Sequence, residues 1–289
     1  MPRGQRGLVP TMERELNTAL KLARQAGDVV IQMRSAGLNV ELKPGDEPVT
    51  LADRTANDMI VRGLMAEFAD DAIISEELPP VRSVVGTRRL WFVDPIDGTK
   101  DFIAGGDGFA VMIGLAVDGQ PIVGVVHQPT IDRTFYATPT VAVVEHQNQG
   151  PEVLRARTPL AVSDISTARQ ARLVASASHR TSDIDRVKST LGIDDEHNIG
   201  SVGVKLGLIA MGIRDLYVNP WPKSKAWDTC APQAILTAAG GRLTNLFGEP
   251  IVYGGDLRHP RGLVASNGLV HDEVIAKIAP LFGALRTAE

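Results

Sequence analysis

Residues 91–101 read Trp-Phe-Val-Asp-Pro-Ile-Asp-Gly-Thr-Lys-Asp, and no other stretch restricts the chain as tightly. A short apolar run delivers Asp94 and Asp97 onto a turn forced by Pro95 and Gly98, and Thr99 adds a hydroxyl directly after. A hard cation such as Mg²⁺ takes clustered oxygen ligands and keeps waters or substrate phosphates in its remaining positions. Two carboxylates, a hydroxyl and glycine-loosened backbone N–H groups at one point are the parts that a metal-dependent phosphatase needs.

Periodicity orders the chain around this turn. Residues 11–34 read as a helix, with Leu16, Leu20, Ala23, Gly27 and Val30 at helical spacing. A loop over 43–48 leads to Thr50, which caps a second helix through Phe68. Ile73 and Ile74 form a strand ending at Glu76 and Glu77, and residues 90–93 form another ending at Asp94. Strands over 109–117 and 121–127 make a hairpin about Asp118-Gly119, and 134–137 and 141–145 add further strands. The first half is thus read as helices followed by an antiparallel sheet.

In the second half, strands at 172–175, 215–218 and 261–265 alternate with helices at 183–191, 204–211, 229–239 and 272–282, which predicts a layered α/β unit. The polar stretch 145–159, broken by Gly150, Pro151 and Pro159, is the expected domain boundary or exposed hairpin. It divides the chain into an α+β part, residues 1–160, and an α/β part, residues 161–289.

Composition excludes several function classes. The 289 residues carry 30 basic and 34 acidic side chains, a net charge of −4, so no general nucleic-acid binder is expected. No run reaches the ~18 apolar residues of a transmembrane helix. The opening MPRGQRGLVP has Arg3 and Arg6 but no apolar core behind them, and reads as a tail, not a secretory signal. The single cysteine, Cys230, excludes an intrachain disulfide and fits a cytoplasmic protein.

Four acids are weighed together: Glu76, Asp94, Asp97 and Asp228. If the strands ending at Glu76 and Asp94 are neighbours, their carboxylates meet at one rim. Asp228 stands directly before the 229–239 helix, with Pro232 in its first turn, where the helix dipole suits an anion. Singly, each has a plainer reading. Asp228 is then an N-cap, Glu76 a solvated charge, Asp94 and Asp97 turn residues bonding their own backbone, and Asp53 the third residue of a capping box with Thr50.

Residues 91–99, with Trp227-Asp228 followed by Ala231 and Ala239-Gly240-Gly241, resemble the signature of the inositol monophosphatase superfamily. The resemblance runs from about residue 13 to 285 and rests on separate motifs in the right order. It implies the superfamily's α-β-α-β-α sandwich, dependence on Mg²⁺ (two or three ions) and hydrolysis of a phosphomonoester by water. By position it implies Glu76, Asp94, Asp97, Asp228 and the Ile96 carbonyl as metal ligands, with Asp94 bridging two ions. Thr99, with Asp53 behind it, and Glu76 would orient the attacking water, and the Gly98 and Thr99 N–H groups would hold the phosphate. Lithium inhibition and homodimerisation are implied in the same way.

Within the superfamily, Ser75-Glu76-Glu77, residues 99–103, Ala177-Ser178-His179-Arg180 and Gly200-Ser201 followed by Lys205 are similar to the 3′(2′),5′-bisphosphate nucleotidases. That implies adenosine 3′,5′-bisphosphate as the small phosphorylated substrate, with Ser178, His179 and Lys205 on the nucleotide side. Residues 104–108 and 219–223 depart from the subgroup's pattern where substrate is selected, so an inositol or sugar phosphate stays open. A haloacid-dehalogenase-type phosphatase would need acids two apart, and Asp94 and Asp97 are three apart. A non-catalytic binding protein on the same fold is the rival of another class, although every matched acid is present.

Overall fold

A computed structural model describes residues 12–38, 40–43, 47–84, 86–147, 155–178, 180–254 and 256–286. Helix α1 (Glu13–Ala36) buries Leu16, Ala19, Ala23, Ala26 and Val30 at three- and four-residue spacing. Next comes a ribbon in which β1 (Val40–Lys43) pairs antiparallel with β2 (Glu47–Thr50). Lys43 and Pro48 therefore stand in strands where the sequence reads as loop, and 44–46 lie outside the described residues. Helix α2 (Leu51–Glu67) is capped by Thr50, whose backbone N–H and hydroxyl both donate to Asp53 Oδ2 at 2.7 and 2.6 Å.

A seven-stranded sheet follows. Its strands are β3 (Ala72–Ser75), β4 (Arg89–Asp97), β5 (Ala110–Val117), β6 (Gln120–Gln128), β7 (Arg133–Thr138), β8 (Val141–Gln147) and β9 (Arg155–Pro159), side by side in that order. A five-residue helix, α3 (Thr99–Ile103), interrupts the passage from β4 to β5. The sheet is not wholly antiparallel as the sequence reads, because β3 and β4 run parallel. The 145–159 stretch enters and leaves as paired strands β8 and β9. Glu145 is buried between Arg24 and Arg157, which donate to it at 2.7 and 2.9 Å; residues 148–154 lie outside the described residues.

The rest of the chain supplies β10 (Leu173–Ser176), α4 (Ser182–Leu191), β11 (Glu196–Ile199), α5 (Val202–Ala210), β12 (Leu216–Asn219), α6 (Ala226–Ala238), β13 (Arg242–Thr244), β14 (Leu263–Ser266) and α7 (His271–Ile278). Its five strands lie in the order β11-β10-β12-β14-β13, with β10 parallel to both neighbours and β14 antiparallel to both of its own.

Apolar packing stacks these elements into five layers. One cluster joins α1 and α2 to the seven-stranded sheet through Ala23, Ile60, Trp91 and Val125. A second joins that sheet to α5, α6 and the smaller sheet through Phe92, Leu206, Ile235 and Ala265. A third joins the smaller sheet to α4 and α7 through Val187, Val264 and Val274. The order is helix, sheet, helix, sheet, helix, the sandwich that the sequence predicts.

The middle layer depends on two glycines. Gly114 on β5 faces Gly124 on β6. A Cβ on Gly114 would fall 2.6 Å from the Ala231 nitrogen, and one on Gly124 would fall 2.1 Å from the Ala231 oxygen. The pair lets the backbone of α6 rest directly on the sheet. Helix α6 also starts earlier than the sequence reads. Its first residue is Ala226, so Asp228 is the third helical residue instead of the residue before the helix, and Pro232 lies inside the helix beyond the first turn.

Candidate active site

Strand β4 ends in a bulge. Asp94 pairs with Met112 and Asp97 with Ala110, so three steps on β4 match two on β5. On a regular strand, residues three apart point to opposite faces. The bulge cancels that alternation and turns Asp94 and Asp97 to one cavity. Pro95, which donates no ladder bond, sits where the ladder breaks. Because β3 lies parallel to β4 with Ser75 beside Val93, Glu76 leaves its strand at the same rim, and its N–H donates to the Val93 carbonyl at 3.1 Å. Asp228 reaches the same cavity from the first turn of α6, where Oδ2 accepts from the Lys225 N–H at 2.8 Å.

The cavity measures about 300 Å³. Of the residues expected at a site, Glu76, Asp94, Ile96, Asp97, Gly98, Thr99, Ser178, Lys205 and Asp228 all line it. Asp53 stands behind the wall, tied to Thr50 as a capping residue. The Thr99 hydroxyl donates to the Ile96 carbonyl at 3.1 Å, so Thr99 and Asp53 are engaged separately rather than as the pair that the sequence reading joins. His179 lies outside the described residues. Gly98, at φ +96°, makes the left-handed turn from β4 into α3. A Cβ there would fall 2.8 Å from the Gly108 oxygen.

The electrostatics are those of buried anions crowded together, with Lys43 and Lys205 beside them. Burial holds the Asp94 carboxyl well above the ordinary range, and the charges of Glu76, Asp97, Asp228 and Asp53 push it further. Burial raises Glu76 to about 7, against the pull of Lys43. Asp97 is raised by burial too, opposed by Lys205 and by the Ser201 hydroxyl and Gly203 N–H, which donate to its Oδ2 at 2.5 and 2.8 Å. Lys205 is buried and pushed down to about 8, with Asp97 holding it up. Its ammonium donates to the Gly200 carbonyl and lies 5.4 Å from the Tyr217 ring centre.

An all-oxygen donor set around a buried, doubly crowded carboxylate fits a hard divalent ion and no soft one. Among the described residues no three acidic, histidine or cysteine side chains stand grouped as they would to hold a metal ion. Lys43 holds Glu76 at 3.0 Å, Ser201 and Gly203 hold Asp97, and the Lys225 N–H holds Asp228.

Sequence reasoning missed Lys43, Lys100, Tyr217, Trp221, Lys223 and Lys225, all on the cavity wall. The sequence marks residues 219–223 as atypical where substrate is selected, but only the fold puts Trp221, Lys223 and Lys225 on the cavity wall.

Comparison with known proteins shows the family. The profile of the Inositol monophosphatase family matches residues 11–281. The chain belongs to the inositol monophosphatase family. It is 35% identical over 243 residues to the 3′(2′),5′-bisphosphate nucleotidase CysQ of Salmonella typhimurium, covering 82% of this chain and 93% of that one. Identity to the Histidinol-phosphatase of Mycobacterium tuberculosis is 32% over 269 residues, covering 91% and 97%. An IMPase structure from Thermotoga maritima superposes with a TM-score of 0.76 at 25% identity, over 94% of this chain and 99% of that chain. As a family member the protein is a phosphatase. No helix among the described residues is long and apolar enough to cross a membrane.

Proposed function

We propose that this family member is a Mg²⁺-dependent 3′-nucleotidase that converts adenosine 3′,5′-bisphosphate to the 5′-monophosphate. One observation carries the reading: a single cavity is lined both by four carboxylates, Glu76, Asp94, Asp97 and Asp228, and by a set of lysines, Lys100, Lys205, Lys223 and Lys225. The acids suit cations beside the phosphate to be cleaved. The lysines exceed what one phosphate needs and suit a second. Similarity to proteins named bisphosphate nucleotidases supports the same choice.

Glu76, Asp94, Asp97, Asp228 and the Ile96 carbonyl would hold the ions. When bound, divalent cations neutralise phosphate charge, acidify water and stabilise the leaving alkoxide. The chain's own groups do the positioning. The Gly98 turn exposes the first N–H groups of α3, which have no partner within their helix, toward the phosphate oxygens. Thr99 and Glu76 orient the attacking water, and Asp53 fixes the start of α2 behind them. Ser178 and Lys205 face the nucleotide, and His179 would join them by resemblance to the bisphosphate nucleotidases. The division of labour places most ion ligands in residues 1–160 and Asp228 with the nucleotide-side groups in 161–289.

A phosphate-release assay with Mg²⁺ tests this. Adenosine 3′,5′-bisphosphate is expected to be turned over at least ten-fold more efficiently than inositol 1-phosphate, fructose 1,6-bisphosphate or histidinol phosphate. Faster release from any of those three overturns the assignment of substrate. No release from any of them by wild type, with Asp94→Asn equally inert, favours the non-catalytic rival.

A further inference from the structure

We propose that Trp221 is a stacking platform for the nucleobase, and that it makes the cavity selective for nucleoside phosphates over phosphates of polyols and sugars. This deepens the nucleotidase reading and rests on it.

Trp221 lines the same cavity as the four carboxylates yet keeps 42% of its surface exposed. A large aromatic left half in water at the mouth of a polar cleft is unusual for a side chain with only a packing role. Its segment is built to hold the ring in place. Pro220 and Pro222 flank it and fix two backbone angles. The Asn219 side chain accepts from the Trp221 N–H at 3.0 Å and donates to Ser224 Oγ at 2.8 Å, closing the loop at both ends. Lys223 places its ammonium 5.1 Å from the ring centre. A cation over one face leaves the other for a base and puts a positive charge beside whatever stacks there.

The distribution of chemistry along the cavity matches one ligand class. Carboxylates suit a metal-bound phosphate, lysines on the same wall suit a second phosphate, and Trp221 adds a half-exposed aromatic plane. An inositol or a sugar phosphate has no π face to offer that plane; a nucleoside 3′,5′-bisphosphate does. Base–aromatic stacking tolerates any base, so the platform selects for a base without choosing which.

The test compares adenosine 3′,5′-bisphosphate with the base-free methyl riboside 3,5-bisphosphate, using wild type, Trp221→Ala and Trp221→Phe in Mg²⁺. Wild type is expected to prefer the nucleotide, and Trp221→Ala to raise KM for it about ten-fold with kcat within two-fold. The preference over the base-free substrate should fall by the same factor, and Trp221→Phe should restore most of it. An equal loss on both substrates assigns Trp221 a merely structural role and overturns the proposal. Unchanged KM in Trp221→Ala, with the nucleotide still preferred by wild type, overturns the platform alone. A wild type that ignores the base, or that cleaves inositol 1-phosphate and not the nucleotide, overturns the nucleotidase reading and the platform with it.

Discussion

Ser201 Oγ donates to Asp97 Oδ2 at 2.5 Å and accepts from the Val204 N–H at 3.0 Å. One hydroxyl thus caps α5 and orients an acid at the end of β4, 104 residues away. The link joins the seven-stranded sheet to the middle helix layer, so the local stability of α5 and the charge state of the cavity are coupled.

Ser201→Ala should therefore harm both. Losing the cap costs about 1 kcal/mol, and losing a hydrogen bond to a charged group costs about 1.5–3 kcal/mol. Differential scanning calorimetry should show a lower Tm, and the Mg²⁺ concentration for half-maximal activity should rise several-fold. An unchanged Mg²⁺ requirement would mean that the Ser201 hydroxyl does not govern how Asp97 meets the metal.

Asp94→Asn should separate stability from activity. The Asp94 carboxylate is crowded by Glu76, Asp97 and Asp228, so removing its charge relieves repulsion in the metal-free protein. In EDTA the variant should melt at or above the wild-type Tm while phosphate release drops at least about a thousand-fold, some 4 kcal/mol of barrier. A variant that melts lower in EDTA contradicts the account of crowding.

Glu76 gives a pH signature. Its carboxyl titrates near 7 in the folded protein, above the ordinary 4.5. The folded state therefore binds more protons than the unfolded one between those values, and Glu76 costs stability progressively as pH rises through that window. His127, His259 and His271, held neutral by burial, act in the opposite direction as pH falls below their ordinary 6.5. A comparison with Glu76→Gln cancels them. In EDTA the variant's Tm advantage over wild type should grow from pH 4.5 to 7 and then level off. An advantage independent of pH would show that Glu76 titrates normally.

Gly124→Ala should push α6 off the sheet, since the new methyl meets the Ala231 carbonyl. Overpacking of this kind costs about 1–3 kcal/mol. Because α6 carries Asp228, the loss should appear in Mg²⁺ affinity as well as in Tm. Lower stability with unaltered Mg²⁺ affinity would show that the helix position does not govern the site.

The acidic rim was legible because its signals are local: Asp-Pro-Ile-Asp-Gly-Thr carries its own turn, and Ile73-Ile74 carries its own strand. Asp228 was placed on the cavity but one step outside its helix, because Lys225 occupies the cap position without a capping side chain. Strands β11 and β13 escaped notice. Glu-His-Asn-Ile and Arg-Leu-Thr are too short and too polar to show a period, and they exist because neighbouring strands accept them. Lys43 was missed for a different reason, as was the role of Trp221, which showed only within the atypical stretch 219–223. Their roles come from a ribbon and a loop folded over the site from distant points of the chain, which no spacing records. The Asp53–Thr50 box, which the sequence offered as the plainer reading, is the contact that Asp53 makes.

The most direct measurement is a crystal structure soaked with Mn²⁺ and adenosine 3′,5′-bisphosphate, with the ions located by anomalous scattering. The account predicts two or three peaks within bonding distance of Glu76, Asp94, Asp97 and Asp228, with Lys43 drawn away from Glu76. Ions bound elsewhere, or these carboxylates left without metal while the protein is active, would contradict it.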